Sequence, residues 1–347
     1  MVSEEDARET FSEVLEYANC DPGQYYRDFL ITRTKREQQE EYEFEKIDFH
    51  SNIHTEIGIN LTEQIQRLWG DIGDEEDDEE DDENDLQREI LPYSVDNYDM
   101  SPKPIQYIEV DSIPNSHRFR SLLNDLSINN VTDFSTYSNI EYQAFRVKGS
   151  FQPKMVAFRL FTSRQIVGKN HRVKVALTGQ NEYDKVEDNP VALPDQFDAV
   201  YCDDLIFVIN PGKFEKLFDY FEAYEEDANE IFDHIEESNI NIAEFDKFKQ
   251  TVKNSDSQLR TMRRIKQRGR YEDLNRRLVE EMVDKFEVEV VVGEDEDGEW
   301  QIQLDDFRKV GEILNLFDDH FVFSGMDVLS GSEELQKYLA KGDIEAR

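Results

Sequence analysis

Hydrophobic positions recur at helical or strand spacing along most of the chain. Near its start, apolar residues three and four apart predict a helix over Ser3–Ala18, and Leu61–Trp69 returns to that spacing. Between these segments, alternating apolar and polar positions predict two strands, Arg27–Arg33 and Tyr42–Phe49. The first part of the chain is therefore expected to be an N-terminal α/β region.

Beyond residue 104 the strand pattern dominates. Apolar alternation predicts strands at 105–110, 142–148, 155–161, 172–178, 197–201 and 205–210. Helical spacing predicts a short helix at 116–126 and a long helical region from Pro211 to about Lys285. The last block contains predicted strands at 287–292 and 300–304, a helix at 305–317 and a strand at 320–323. This order predicts an α+β fold: a mainly antiparallel sheet, a helical segment and a C-terminal strand–helix–strand block.

An acidic run interrupts the pattern at residues 71–85, where 12 of 15 residues are acidic and none is basic. Such a run repels itself and offers no apolar side chains for a core. We therefore predict an N-terminal region at 1–70, an acidic linker or disordered loop at 71–103 and a core domain at 104–347. The alternative for the run is a nucleic-acid mimic or an internal competitor for a basic site.

The overall charge is strongly negative, with 39 basic and 79 acidic residues and a formal net charge of −40. Because 38% of residues are hydrophobic and 12% aromatic, the composition indicates a folded protein with an acidic surface. Such a surface excludes general adhesion to nucleic acid or anionic lipid, so a polyanion needs a local basic patch. The acidity also fits a halophile-like protein, although 18 Lys remain beside 21 Arg.

Several common functional signals are absent from the sequence. The opening MVSEEDARET has neither a cationic nor an apolar signal segment, and no apolar run approaches the ~20 residues of a membrane-spanning helix, so we expect a soluble cytoplasmic protein. Cys20 and Cys202 have no partner at metal-ligand spacing, so we predict neither a disulfide nor a metal site. No phosphate loop, dinucleotide turn, HExxH or GxSxG motif occurs, which favours a protein without catalytic activity or cofactor.

Positive charge is concentrated in two segments. Residues 144–175 contain eight basic and no acidic side chains, and residues 258–277 contain eight basic and two acidic ones. On strands, Arg146 shares a face with Lys148, as does Arg172 with Lys174, because residues two apart point the same way. One face of the sheet is therefore predicted to be basic.

On the predicted helix of the second segment, Arg260, Arg264 and Arg268 form a stripe at i, i+4 and i+8, with Arg263 beside it. The opposite, buried side is expected to consist of Leu259, Met262 and Ile265. Together the two segments predict a basic groove for DNA or RNA phosphates, formed by Arg146, Lys148, Lys154, Arg159, Arg172, Lys174, Arg260, Arg263, Arg264 and Arg268. The alternative is that these cations pair with the acidic body or with another subunit.

Two further functions stay open. A metal-dependent nuclease needs converging carboxylates, and Asp198, Asp203 and Asp204 are the candidates, although a polar turn explains them more simply. A pure assembly subunit needs no site of this kind.

One stretch of the sequence is similar to a known family. The run FDAVYCDDLIFVIN at 197–210, continued by KFEKLFDY at 213–220, resembles the KwaB family of Kiwa anti-phage defence proteins. That family has a short strand, an acidic turn and a second strand, followed by a helix. Near the start of this helix, an aromatic residue is followed by glutamate. The resemblance covers residues 140–325. It implies a cytoplasmic effector that binds DNA, forms a homo-oligomer and is brought to the membrane by a partner protein of the KwaA type.

Overall fold

A computed structural model gives the three-dimensional structure of the protein. It describes residues 2–20, 24–33, 44–47, 49–70, 89–100, 103–114, 116, 129–130, 140–149, 153–161, 175–179, 182–185, 196–238, 240–273, 275–286, 290–294, 298–303 and 310–318. Contacts between residues divide the chain into two compact units, Met1–Asp219 and Tyr220–Arg347. We refer to them as unit 1 and unit 2.

A nine-stranded sheet forms the centre of unit 1. Its strands are β1 (Tyr26–Arg33), β2 (Phe44–Ile47), β3 (Ile90–Pro92), β4 (Ile105–Glu109), β5 (Asn129–Asn130), β6 (Ile140–Lys148), β7 (Pro153–Leu160), β10 (Ala199–Cys202) and β11 (Leu205–Val208), in the spatial order β3-β4-β11-β10-β7-β6-β1-β2-β5. The neighbours pair antiparallel except for β3 with β4 and β2 with β5. A separate hairpin consists of β8 (Val175–Gly179) and β9 (Glu182–Lys185).

The sheet combines strands from distant parts of the chain. Strand β1 lies between β2 and β6, so strands from the first 70 residues pair with strands that follow residue 104. Strand β3 belongs to the segment expected to be a linker, yet it pairs with β4. Residues 71–88, which hold the acidic run, lie outside the described residues.

Helices α1 (Glu4–Asn19) and α2 (Ser51–Gly70) cover one face of this sheet. Helix α1 begins with a capping box, in which Ser3 and Asp6 each accept from the other's backbone N–H. Its Phe11 packs on Phe207 of β11 with ring centroids 5.0 Å apart. Alternation along β6 directs Phe145 towards this core. On the other face, α3 (Pro211–Leu217) packs on β7.

Unit 2 is mainly helical. Its helices are α4 (Tyr220–Glu237), α5 (Phe245–Lys253), α6 (Asp256–Arg268), α7 (Arg276–Phe286) and α8 (Val310–Asp318), and a hairpin joins β12 (Val291–Glu294) to β13 (Trp300–Gln303). Helix α6 contacts α4, α5 and α8. Its Leu259, Met262 and Ile265 are buried, as the helical spacing predicts.

The predicted α+β class with a mainly antiparallel sheet is confirmed. The largest difference in element bounds is at α2, which begins at Ser51 rather than at Leu61. The predicted helix at 116–126 lies outside the described residues except for residue 116, and so do the predicted strand at 320–323 and the start of the predicted strand at 172–174.

Candidate nucleic-acid interface

The basic face of the sheet begins with Arg146 and Lys148 on β6. They point away from Phe145 and Val147, which lie in the core below α1 and α2. Arg146 is only 2% exposed, however, because the opposite face of β6 is also covered. Its guanidinium is therefore shielded from solvent.

Arg146 pairs with an acid that periodicity does not reveal. Asp28 of β1 lies directly opposite it in the sheet, and Arg146 Nη2 donates to Asp28 Oδ2 at 2.8 Å. Lys46 Nζ of β2 approaches Asp28 Oδ1 at 2.7 Å. Burial opposes ionisation of Asp28, but the hydrogen bonds from Lys46 and Arg146 outweigh it, and the pKa of this carboxyl lies below its usual value. One buried carboxylate thus holds two cations.

The other predicted cations of unit 1 are more accessible. Lys148, Lys154 and Arg159 are half-buried, and Arg159 Nη1 donates to the backbone carbonyl of Gln196 at 2.5 Å. Lys148 lies across the β1–β6 pair from Tyr26, whose side chain is largely exposed. The predicted residues Arg172 and Lys174 lie outside the described residues.

Lys154 also borders a cavity of about 670 Å³ beside the β10–β11 turn. The carboxylates around this cavity are Glu13, Glu109, Asp111, Asp203 and Asp204. Burial raises the pKa of the Cys202 thiol to about 12, so Cys202 stays protonated and is not an activated nucleophile. Among the described residues that line it, five carboxylates outnumber one lysine, a charge balance that disfavours phosphate.

The three acids considered for a nuclease do not converge. Asp198 precedes β10, whereas Asp203 and Asp204 follow it, so five residue steps of extended chain, about 16 Å, separate Asp198 from Asp203. Asp198 instead accepts from the backbone N–H of Leu160 at 2.9 Å and pairs with Lys213 of α3 at 3.1 Å. Among the described residues, no group of three or more His, Cys, Asp or Glu side chains could hold a metal ion.

The arginine stripe predicted for unit 2 lies on α6. The arginines on its more buried side pair with a carboxylate of another helix of this unit. Arg264 is buried, and its Nη2 lies 2.6 Å from Oδ2 of Asp318, the fully buried last residue of α8. Arg268 Nη1 approaches Oδ1 of the same carboxylate at 3.2 Å and donates to the Asp318 backbone carbonyl at 2.6 Å. Arg268 thereby satisfies a backbone carbonyl at the C-terminal end of α8, and both arginines place positive charge there, where cations are favoured.

The more accessible cations of α6 lie beside α4. Arg263 Nη1 lies 2.6 Å from Oδ2 of the buried Asp227, and Lys266 Nζ lies 3.1 Å from its Oδ1. Lys266 also pairs with Glu230, one turn further along α4. Arg260 is half-buried and lies over the ring of Phe221, 5.3 Å from its centroid.

Carboxylate pairing, the alternative weighed for the basic segments, is therefore confirmed for Arg146, Arg263, Arg264 and Arg268. Sequence reasoning did not assign roles to Lys46 or Lys266, nor to their acidic partners. The one local signal for the partners in α4 is that Asp227 and Glu230 are three residues apart and so share a helix face.

Comparison with known families decides what kind of protein this is. A family model described as "Kiwa protein KwaB-like" matches residues 126–327, which is more than half of the chain. The chain belongs to the KwaB-like family. The resemblance noted at 197–220 is thus confirmed, and membership implies a component of Kiwa anti-phage defence.

The KwaB-like match includes both β6–β7 and α6, so both basic segments fall inside the family region. No curated protein and no solved structure matches the chain significantly. Within the described part of this KwaB-like chain, no helix is long and apolar enough to cross a membrane.

Proposed function

We propose that this KwaB-like protein is a non-catalytic DNA-binding effector of Kiwa defence. In this proposal it acts in the cytoplasm as a homo-oligomer, and a membrane partner of the KwaA type recruits it to the membrane. Family membership supports the defence role. The arrangement of cations on α6 supports the DNA-binding role.

The observation that carries the proposal is that two buried carboxylates of neighbouring helices each hold two cations of α6. Asp227 contacts two cations and Asp318 contacts two more, so four side chains of this helix are held in fixed positions. The bond to Asp227 uses only part of the five N–H donors of Arg263. Cations that are already oriented lose less conformational freedom when they bind phosphate, which favours a DNA-binding face over a set of freely moving surface charges.

Burial divides the candidate residues into two roles. Arg146 and Arg264 are buried, so we assign them to holding the sheet and α8 rather than to touching DNA. In unit 2 the DNA contacts are proposed for Arg260, Arg263, Lys266 and Arg268, which are half-buried with part of their surface accessible. In unit 1 they are proposed for Lys148, Lys154 and Arg159, and on the sequence pattern alone for Arg172 and Lys174.

The deciding experiment measures binding of the purified protein to a labelled DNA duplex by fluorescence anisotropy over a series of salt concentrations. Binding through phosphates makes log K fall linearly with log salt, with a slope of about 0.9 per neutralised phosphate. The absence of binding at low salt, or affinity that does not change with salt, would overturn the proposal.

The same protein and DNA separate the two other functions. Incubation with Mg²⁺ or Mn²⁺ is expected to leave the duplex intact, and cleavage that Asp203→Ala abolishes would establish a nuclease. Size-exclusion chromatography with and without DNA is expected to show co-elution. A stable oligomer that never co-elutes with DNA would indicate an assembly subunit.

A further inference from the structure

The contact between α4 and α6 has a buried and an exposed part. The side chain of Asp227 is 8% exposed, and it pairs with Arg263 and Lys266 on the buried side of the contact. Glu230 is 63% exposed and pairs with Lys266 from the solvent side. Lys266 therefore pairs with one buried carboxylate and with one exposed carboxylate.

The two partners of Lys266 differ in how easily another anion can replace them. A buried carboxylate that gives up its cations is left uncompensated in a poorly solvated place, so Asp227 is expected to stay paired. An exposed ion pair gains little and is screened by salt, so Glu230 can return to water when another anion approaches. The hydrogen bond that Lys266 donates to Glu230 also raises the pKa of Lys266, and the lysine stays cationic at every physiological pH.

We propose that Glu230 is a built-in competitor that occupies the phosphate position on Lys266 and must be displaced when DNA binds. This inference rests on the proposed function, since it concerns the same face of α6. Its consequence is selectivity. A single phosphate has only Lys266 to gain, whereas a DNA strand presents neighbouring phosphates that engage Arg263 at the same time and compensate for the displacement of Glu230.

Helix α4 supplies a matched control for this glutamate. Glu236 lies on the same helix, is 51% exposed and pairs with Lys249 of α5 at 2.6 Å. Its hydrogen bond likewise raises the pKa of Lys249. Replacing either glutamate with glutamine removes one negative charge and one lysine pair, but only Glu230→Gln acts on α6.

The experiment compares Glu230→Gln, Glu236→Gln and the parent protein for binding to the same labelled duplex over a salt series. Glu230→Gln is expected to raise affinity about two- to fivefold over Glu236→Gln, the range that corresponds to an exposed ion pair. Its salt dependence should match that of the parent protein, because Lys266 contacts one phosphate in both complexes once Glu230 has been displaced. Adding Lys266→Gln should abolish the gain. Inorganic phosphate should compete poorly with the duplex for all proteins.

The outcomes separate this inference from the proposed function. If the parent protein binds DNA and the two glutamate variants bind equally, the competitor role is wrong and the DNA-binding role stands. If only Glu230→Gln binds, the competitor role is supported, but the parent protein does not bind DNA and the proposed function fails. If neither the parent nor any variant binds, both proposals fail. A gain that persists with Lys266→Gln also contradicts the competitor role.

Discussion

Arg264 Nη2 lies 2.6 Å from Asp318 Oδ2 at the residue where α8 ends, and Asp318 is fully buried. Part of the stripe that looked like a DNA-binding surface in the sequence is therefore a junction between two helices of unit 2. A junction of this kind has a measurable effect on stability.

Asp318→Asn is expected to lower the free energy of unfolding of unit 2 by about 3 kcal/mol, because it leaves two arginines without their buried counter-charge. Urea unfolding can be followed through Trp300, which is buried in the same unit, after Trp69, the other of the two tryptophans, is replaced with Phe. Asp246→Asn is the control, since this carboxylate is 97% exposed and lies 3.6 Å from Lys249. The control should change stability by less than about 0.5 kcal/mol. Equal effects would contradict a structural role for Asp318.

The carboxylate between Lys46 and Arg146 predicts a pH dependence. The folded state lowers the pKa of Asp28, so its ionisation stabilises the fold above the unfolded-state pKa of about 3.9. That contribution is lost as pH falls through the folded-state pKa. The stability difference between the parent and Asp28→Asn should be constant above about pH 5 and shrink below about pH 4. A difference that grows on acidification would show that the pKa is raised instead.

The β10–β11 turn predicts an order of stability among variants. Asp203 and Asp204 both have positive φ, 46° and 64°, which is the backbone of a type I′ turn. Glycine adopts this conformation without steric strain, asparagine tolerates it and alanine does not. At position 204 the expected order of unfolding free energy is Gly above Asn above Ala, with about 1 kcal/mol between Gly and Ala. All three variants remove the carboxylate, so its charge does not set the order.

The outer face of α6 predicts a specific loss of DNA binding. Arg263→Gln removes an accessible guanidinium but leaves Lys266 beside Asp227, so the helix contact is kept. We expect a three- to tenfold loss of affinity, roughly one phosphate contact, and a salt slope that is smaller by about 0.9. Lys247→Gln on α5 is the control, because it removes an exposed cation that pairs locally with Glu244. If the control lowers affinity as much as Arg263→Gln, binding follows net charge and not the α6 face.

Hydrophobic periodicity predicted which side of each helix or strand is buried. It did not predict which residues contact the opposite side. The spacing of Leu259, Met262 and Ile265 placed the apolar side of α6 correctly, because residues within two turns determine it. The acids that meet its arginines are 36 and 54 residues away, and Asp28 is 118 residues from Arg146. No local pattern encodes such distances. Burial of Arg146 could not be foreseen either, since it depends on what covers the second face of β6.

The early part of α2 was missed for a different reason. Asn52, Thr55, Gly58 and Asn60 have low helix propensity, so the first half of the helix carries a weak local signal. Two of its apolar residues, Ile57 and Leu61, are buried against the sheet. Tertiary packing therefore extends the helix where intrinsic propensity does not.

Asp28 and Arg146 are direct partners in the antiparallel pairing of β1 with β6. If β6 slipped by one residue against β1, every side chain on β6 would move to the opposite face. Arg146 would then enter the apolar core beneath α1 and α2 without a carboxylate, and Asp28 would keep only Lys46. Such a misaligned sheet would bury an uncompensated cation, so this pair disfavours incorrect alignments while the two distant strands assemble.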